Sequence, residues 1–272
     1  MRLEIPNQDR TLIMGVLNVT PDSFFDGGRF LSHEDAITHA LTLIRDGADI
    51  IDVGGESTRP SAQPISLEEE LERVIPTVRR IRAVSEIPIS IDTYKARVAR
   101  EALEAGADIV NDVSGLLFDP EMGRVVSGYA SHVVIMHMKG TPRDMQQDPS
   151  YDDVVKEIRD YFVERIGAAR DFGIASDRIV LDPGIGFGKR VEDNLRILKD
   201  LPRFKDLGFP LLIGTSMKSF IGAVTDSPVD ERLEGTLASV ALAVWNGADV
   251  VRVHDVKAAN RVVRLTEAVK KA

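Results

Sequence analysis

The feature that most constrains the fold of this chain is the alternation of short apolar segments with longer amphipathic ones. Eight short segments are rich in valine and isoleucine and are apolar almost throughout, as expected of strands that are covered on both faces. The predicted strands are Leu12–Asn18, Asp49–Gly55, Pro88–Thr93, Asp108–Val113, His132–His137, Arg178–Pro183, Pro210–Ser216 and Asp249–Asp255.

Longer segments with helical periodicity separate these strands. Residues 32–47 begin with a serine suited to capping a helix. Residues 66–85 begin with Ser66 and Glu69 in the spacing of a capping box. Eight alternations predict an α/β fold, a (β/α)8 TIM barrel, with a doubly wound open sheet as the alternative. Because no linker-like segment interrupts the chain, we expect residues 1–272 to form a single domain.

The phrase Gly-Ala-Asp occurs three times, each time followed by two branched aliphatic residues and then by polar ones. Its glycines, Gly47, Gly106 and Gly247, each follow a helical pattern, where a residue in a left-handed conformation commonly ends a helix. The aliphatic residues then begin the next strand. The repeat therefore indicates architecture. Function is expected among the polar residues at the carboxyl ends of the strands, where barrel active sites lie.

Composition excludes several classes of protein. The chain has no cysteine, which excludes disulfides, thiolate catalysis and cysteine-ligated metals and fits the reducing cytoplasm. Its net charge is −9 without a block of basic residues, so nucleic acid is not an expected partner. No apolar segment approaches the roughly 18 residues of a membrane-spanning helix, and the N-terminal segment lacks the apolar core of a signal peptide, so no membrane association is expected.

Polar and charged residues end the predicted strands. A charge buried without a partner costs several kcal/mol, so these groups need either one another or a ligand. Mutual pairing across the barrel rim is one possibility, but convergence from seven or eight strands favours a ligand. The candidates are Asn18, Glu56, Asp92, Asn111, His137, Asp182, Lys218, Arg252 and His254.

The candidates form an acceptor set and a basic set. Carboxylate and amide acceptors suit a ligand with several N–H donors, such as an aminopyrimidine ring. The acceptors are Asp92, Asn111 and Asp182. Basic side chains at a barrel mouth suit phosphate groups. The basic candidates are Lys218, Arg252, His254 and Arg59. A flat ring that carries a pyrophosphate would contact both sets.

Two long segments without helical or strand pattern follow predicted strands, at residues 18–30 and 54–65. Such segments in barrels are commonly lids or binding loops, and plain solvated loops are the alternative. Their candidates for contact with a second substrate are Phe24, Thr58, Arg59 and Pro60. The glycine-rich segment 183–190 matches no nucleotide-binding motif, and it predicts either a tight loop that brings Phe187 to a ligand or a plain turn.

A metal site is only partly indicated. Asn18 could supply one oxygen to Mg²⁺, with the remaining ligands coming from phosphates and water. The five histidines show no HExxH or similar spacing, so a zinc site built from histidines is not expected.

Seven motifs, in order along the chain, resemble those of the dihydropteroate synthases, enzymes of folate biosynthesis. The motifs are MGVLNVTPDSFFDGGRF, GGESTRP, SIDT, NDVSG, LDPGIGFGK, SMKSFIG and RVHD. The resemblance implies a (β/α)8 barrel that is usually a homodimer and uses Mg²⁺. It implies condensation of 6-hydroxymethyl-7,8-dihydropterin pyrophosphate with p-aminobenzoate, which yields 7,8-dihydropteroate and pyrophosphate.

The resemblance also implies roles for individual residues. The implied pterin ligands are Asp92, Asn111, Met136, Asp182, Phe187, Lys218 and Arg252. The implied pyrophosphate ligands are Asn18, Arg59, Arg252 and His254, and Asn18 is also the implied Mg²⁺ ligand. The implied p-aminobenzoate pocket, which sulfonamides occupy in this family, consists of Phe24, Thr58, Arg59, Pro60, Phe187 and Ser219. The implied catalytic residues are Asp92, Lys218, Arg252 and His254.

One position departs from the family pattern. The family usually reads Ser-Arg-Lys-Ser where this chain has Ser216, Met217, Lys218 and Ser219. The lysine and both serines remain, so the departure removes none of the implied ligand contacts.

The chemistry predicts a dissociative, SN1-like path, because the pterin ring shares positive charge as its CH2 group loses pyrophosphate. A pterin-dependent methyltransferase on a similar barrel and a catalytically inactive pterin-binding protein are the alternatives.

The helical segments 234–249 and 257–272 carry enough apolar surface for a homodimer interface or for packing on the barrel.

Overall fold

The computed structural model describes residue 5 and residues 10–20, 33–57 and 63–272. Eight short strands form one parallel sheet. The strands are β1 (Leu12–Asn18), β2 (Ile50–Gly54), β3 (Ile89–Asp92), β4 (Ile109–Asp112), β5 (His132–Met136), β6 (Ile179–Asp182), β7 (Leu212–Ile213) and β8 (Val250–Val253). All eight lie within the predicted segments.

The sheet forms a barrel. The strand order is β6-β5-β4-β3-β2-β1-β8-β7, and a parallel bridge between Leu181 and Leu211 joins its two ends. The amide of Leu181 also donates to the carbonyl of Pro210 at 2.9 Å. The predicted (β/α)8 barrel is therefore confirmed, and the open sheet is excluded. Strand β7 is shorter than predicted and covers only Leu212–Ile213, and Ser216 beyond it contacts His254.

Helices follow each strand and cover the outside of the barrel. The described helices are α1 (His33–Arg45), α2 (Leu67–Val84), α3 (Ala96–Glu104), α4 (Met122–Tyr129), α5 (Val154–Asp171), α6 (Val191–Lys199), α7 (Pro202–Lys205), α8 (Ser219–Thr225), α9 (Leu233–Trp245) and α10 (Val256–Lys271). Short 3-10 helices lie at Ser176–Arg178 and Val229–Glu231. None of the helices in the described part of the chain combines the length and apolarity needed to cross a membrane.

Local signals at the helix ends act largely as predicted. Ser66 caps α2, since its hydroxyl accepts from the amide of Glu69 at 3.1 Å. The carboxylate of Glu69 instead pairs with Arg73, one helical turn further on, so only half of the capping box forms. The predicted serine cap of α1 lies outside the described residues. The three repeat glycines all have positive φ, which confirms their role at helix ends. The values are 104° at Gly47, 112° at Gly106 and 97° at Gly247.

The barrel interior changes from apolar to polar along four of the strands. A cluster of buried apolar side chains fills its lower part. The cluster consists of Ile5, Leu12, Met14, Ile50, Ile109, Val134, Val180, Leu212 and Val250. Because side chains alternate between faces, the residue two positions later on a strand points the same way. Those positions carry Asp52, Asn111, Asp182 and Arg252 on β2, β4, β6 and β8. A polar layer therefore lies at the carboxyl-terminal mouth.

Candidate active site

The centre of the mouth is an arginine held between two buried carboxylates. Arg252 Nε donates to Asp52 Oδ2 at 2.6 Å, and Arg252 Nη2 donates to Asp92 Oδ2 at 2.8 Å. Asn111 Nδ2 donates to the same Asp52 oxygen at 3.2 Å. Side chains from β2, β3, β4 and β8 thus form one hydrogen-bonded group across the barrel.

This group retains hydrogen-bonding capacity. The Oδ1 atoms of Asp52 and Asp92 are buried, and neither has a hydrogen-bond partner among the described residues. Leaving a buried acceptor without a partner costs about 1–3 kcal/mol, and more for a charged group. The cost points to a ligand whose N–H groups would satisfy these oxygens.

Burial controls the protonation of the mouth. It raises the pKa of Asp92 to about 7, while the charge of Arg252 acts in the opposite direction. Burial also raises the pKa of Asp182 to about 6. Burial disfavours the charge of Arg252, but the carboxylates of Asp52 and Asp92 outweigh it and raise the pKa of the guanidinium. The arginine is therefore a permanent cation beside Asp92, whose carboxyl group titrates near neutrality.

The loop after β6 brings an aromatic ring and a lysine to the same part of the mouth. Asp182 Oδ1 accepts from the amide of Gly184 at 2.7 Å, which fixes the start of the loop. Lys218 Nζ lies 4.1 Å from the centroid of the Phe187 ring, in a cation–π contact. Burial and, to a smaller extent, the nearby charge of Arg252 lower the pKa of Lys218 to about 8.

Asn18 and Met136 also lie at the mouth. A Cβ placed on Gly54 would lie 3.7 Å from both Asn18 Oδ1 and Asp92 Oδ2, so these oxygens flank the same glycine. Met136 is buried at the end of β5 and pairs in register with Asp182.

The segment between β7 and α8 supplies the remaining described candidates. Ser216 Oγ lies 2.8 Å from His254 Nδ1, and the imidazole is exposed to solvent. Ser219 begins α8 and is exposed. Met217 has a positive φ of 59°, and its amide donates to Thr236 Oγ1 at 3.0 Å.

Two sequence candidates have protein partners instead. Glu56 Oε2 lies 2.6 Å from Lys95 Nζ, and Glu56 Oε1 accepts from the Tyr94 hydroxyl at 2.6 Å. His137 is buried, with its ring 4.9 Å from that of Tyr161 in an edge-on contact. Both therefore contact residues that were not candidates, whereas the mutual pairing across the rim occurs between Arg252 and Asp92. The candidates Phe24, Thr58, Arg59 and Pro60 lie outside the described residues.

Two residues that the sequence analysis missed belong to the site or its support. Asp52 is completely buried and contacts Arg252. Its signal was a carboxylate inside an otherwise apolar strand, two positions before Gly54 and so on the same face. Lys189 is also buried and contacts His137. No local pattern distinguishes it from an exposed lysine at the end of a loop.

Comparison with known proteins agrees with this geometry. A family model described as pterin binding enzyme matches residues 14–254. Dihydropteroate synthase from Synechocystis sp. is 50% identical over 260 residues, which are 95% of this chain and 90% of that protein. The Escherichia coli enzyme of the same name is 47% identical over 256 residues, which are 94% of this chain and 90% of that protein.

Solved structures agree as well. A Yersinia pestis dihydropteroate synthase in complex with a sulfonamide drug superposes with a TM-score of 0.93 at 40% identity, covering 97% of this chain and 95% of that chain. A Xanthomonas albilineans dihydropteroate synthase in complex with 7,8-dihydropteroate has a TM-score of 0.88 at 42% identity, with coverage of 97% and 95%. This chain belongs to the pterin-binding enzyme family, among its dihydropteroate synthases.

Proposed function

We propose that the condensation catalysed by this dihydropteroate synthase follows a dissociative, SN1-like path at the barrel mouth. The C–O bond between the pterin CH2 group and pyrophosphate breaks first, and pyrophosphate keeps the electron pair. The nitrogen of p-aminobenzoate then forms the new C–N bond and loses a proton. The observation that carries this proposal is the buried Asp52–Arg252–Asp92 group, in which a carboxylate with an unpaired oxygen lies beside a fixed cation.

We assign the pterin to the inner part of the mouth. Its ring N–H groups match the acceptor oxygens, its flat face matches the methionine and phenylalanine, and the lysine and arginine donate to ring acceptors. The assigned residues are Asp92, Asn111, Met136, Asp182, Phe187, Lys218 and Arg252. The buried Asp92 Oδ1 without a described partner supports this assignment most directly.

We assign the pyrophosphate to the mouth beside the pterin, where the guanidinium of Arg252 and the exposed imidazole of His254 lie. The assigned residues are Asn18, Arg59, Arg252 and His254, of which Arg59 lies outside the described residues. In the described part of the chain no group of three or more His, Cys, Asp or Glu residues is placed to hold a metal. The single amide oxygen of Asn18 fits a Mg²⁺ ion whose other ligands are phosphate oxygens and water. When bound, the ion would neutralise charge on the leaving group.

We assign p-aminobenzoate to a pocket between Phe187, Ser219 and the two long loops. Its other assigned residues are Phe24, Thr58, Arg59 and Pro60, all outside the described residues. A solved Xanthomonas albilineans dihydropteroate synthase contains 4-aminobenzoic acid, at 45% identity to this chain, which supports the same second substrate here. A sulfonamide would compete for this pocket.

The proposed catalytic residues are Asp92, Lys218, Arg252 and His254. Positive charge develops on the pterin and negative charge on the departing pyrophosphate. Asp92 would stabilise the first, while Arg252 and His254 would stabilise the second. Because the cation reacts readily, even a neutral aryl amine needs no general base before it attacks. No covalent bond to the enzyme forms on this path.

Isotope exchange tests the dissociative path. The substrate carries ¹⁸O in the bridge between the CH2 group and pyrophosphate, and it is incubated with enzyme and Mg²⁺ without p-aminobenzoate. Reversible ionisation lets the pyrophosphate rotate, so ¹⁸O appears in non-bridging positions of recovered substrate. Recovery without scrambling, together with normal turnover when the amine is added, would show that the amine displaces pyrophosphate directly. Pterin binding without any turnover would instead identify an inactive binder.

We further propose a cytoplasmic homodimer in which residues 1–272 form one domain. The absence of cysteine supports a reducing compartment. Helices α9 and α10 pack together and expose large apolar side chains on their outer surface, which supports an interface there. These side chains are Leu242, Trp245, Leu265 and Val269.

A further inference from the structure

The loop after β6 lies directly against the chain that follows β5. A Cβ on Gly184 would lie 2.0 Å from the carbonyl oxygen of His137, and a Cβ on Gly188 would lie 2.2 Å from that of Lys139. Both glycines also have positive φ, 68° and 63°. The two segments are therefore in backbone contact, and only glycine permits this approach.

The buried side chain of Lys189 forms hydrogen bonds to both of these segments. Its side chain is only 3% exposed. Lys189 Nζ lies 3.0 Å from His137 Nδ1, and it donates to the carbonyl of His137 at 3.2 Å and to that of Phe187 at 2.9 Å. Three acceptors match the three N–H groups of the protonated amine, whose pKa burial lowers to about 7. Burial lowers the pKa of His137 well below its usual value, so its imidazole is neutral and can accept at Nδ1.

The loop after β6 that Lys189 holds also contains Phe187, the aromatic residue at the barrel mouth. Phe187 contributes its carbonyl to Lys189 and its ring to the contact with Lys218 Nζ at 4.1 Å. A Cβ on Gly186 would lie 3.1 Å from Lys218 Cδ, so the loop backbone also contacts the stem of that lysine. A shift of the loop would therefore move the surfaces proposed for both substrates.

We infer that Lys189 is a positioning residue that acts through Phe187, holding its ring where the aryl amine must approach the pterin. The inference rests on the proposed placement of p-aminobenzoate beside Phe187. Lys189 itself contacts the two loop segments, and its amino group already has three protein partners. Its effect on catalysis should therefore be indirect and should disappear when the Phe187 ring is removed.

Two measurements on Lys189→Met test this inference, with Lys199→Met on the exposed face of α6 as the matched control. Amide hydrogen exchange in residues 184–188 should accelerate about tenfold or more, as expected when the hydrogen bonds of a buried amino group to two loop segments are lost. The KM for p-aminobenzoate should rise about tenfold, and the affinity for the pterin should fall as well, because Phe187 is assigned to both substrates. Lys199→Met should match the wild type in all three quantities.

A double-mutant cycle with Phe187→Ala separates positioning from direct contact. Lys189→Met should raise the KM for p-aminobenzoate in the wild-type background and leave it unchanged in the Phe187→Ala background. Equal loss of pterin affinity in both backgrounds, or unchanged exchange in residues 184–188, would overturn the inference. If Phe187→Ala alone left the KM for p-aminobenzoate unchanged, the placement of that substrate would fail. The exchange result would still decide whether Lys189 holds the loop.

Lys189→Gln guards against a variant that fails to fold. Glutamine keeps two N–H donors but lacks the charge, so its exchange rates and KM should fall between those of the wild type and Lys189→Met. Thermal unfolding of each variant establishes that the comparison is made on folded protein. A Gln variant with wild-type exchange and a tenfold higher KM would contradict a positioning role.

Discussion

At the scale of single residues, the site depends on charges that the barrel keeps out of water. Asp52 is fully buried and Asp92 nearly so, and a single guanidinium pairs with both. Removing one partner of such a group commonly lowers the free energy of unfolding by roughly 3–5 kcal/mol, because the remaining charge is left buried without a partner. The arrangement is therefore maintained by pairing, and its unpaired oxygens remain available to a substrate.

Asp92→Asn tests the electrostatic role of this carboxylate. The amide keeps the shape and one acceptor oxygen but removes the negative charge that would stabilise the pterin cation. We expect kcat to fall about 100-fold, the usual size of such an electrostatic contribution, while the affinity for the pterin changes far less. Single-turnover kinetics with dihydropterin pyrophosphate measure the chemical step. Wild-type turnover in this variant would refute the role.

The raised carboxyl pKa values predict how activity depends on pH. As pH falls through about 7 and then about 6, Asp92 and then Asp182 bind protons, and the mouth loses negative charge. We expect kcat/KM for dihydropterin pyrophosphate to decrease below pH 7. Asp182→Asn should remove the lower of the two transitions. Binding of a pterin without pyrophosphate, measured across the same range, controls for ionisation of the substrate itself.

The same two carboxyl groups affect stability with the opposite sign. Their pKa values are higher in the folded chain than in the unfolded one, so the folded state binds more protons. Their contribution to the free energy of unfolding is fully present at low pH and is lost as pH rises from about 4 to about 7. The effect of Asp92→Asn on the free energy of unfolding should therefore be more favourable at pH 8 than at pH 5, as measured by denaturant unfolding. Equal effects at the two pH values would contradict the raised pKa.

At the scale of the elements, the strand period explains which residues meet. The inward face of β2 carries Ile50, Asp52 and Gly54 in succession, and that of β8 carries Val250 and Arg252. The apolar residue of each strand packs in the barrel, and the polar residue two positions later reaches the mouth. A shift of one residue in register would turn the charged set toward the helices.

The helices support this layer from outside, and their ends follow local chemistry. Ser66 caps α2, and Asp153 caps α5 by accepting from the amides of Val155 and Lys156. Glycines with positive φ follow α1, α3 and α9. These signals act over a few residues, so the Ser66 cap and the three glycines were predicted from the sequence, whereas the Asp153 cap was not.

A pair of glycine substitutions separates backbone requirement from helix propensity. Gly184→Ala places a Cβ 2.0 Å from the carbonyl oxygen of His137 at a positive φ of 68°. We expect it to lower the free energy of unfolding by more than about 2 kcal/mol. Gly167→Ala lies on α5 with no heavy atom within 4 Å of the new Cβ, and it should raise that energy by about 0.5–1 kcal/mol. Urea titrations of both variants measure the difference.

At the scale of the whole molecule, closure of the barrel brings residues that are far apart in the sequence into one group. Arg252 and Asp52 are 200 positions apart, yet their side chains are 2.6 Å apart. The contact between Leu181 and Leu211 joins the two ends of the sheet. The site is therefore a property of the closed barrel and not of any one segment.

The proposed homodimer makes a prediction at this scale. Trp245 on α9 and Leu265 on α10 are 53% and 68% exposed. Trp245→Glu should weaken association at least about 100-fold, because large apolar residues at the centre of an interface dominate its affinity. Val84→Glu, an equally exposed apolar position at the end of α2, is the control. Analytical ultracentrifugation measures the association. A monomeric wild type, or equal effects of the two substitutions, would place the interface elsewhere.

The sequence by itself determined the strands, their order of alternation with helices, and the polar residues at the strand ends. These features depend on side-chain period and local backbone preference, which act between near neighbours. Only the tertiary structure decided which charges pair. Glu56 turned out to contact Lys95, while Asp52, hidden in an apolar strand, contacts Arg252. Pairing depends on which strands become neighbours and which face each side chain takes when the barrel closes, and no local pattern carries that information.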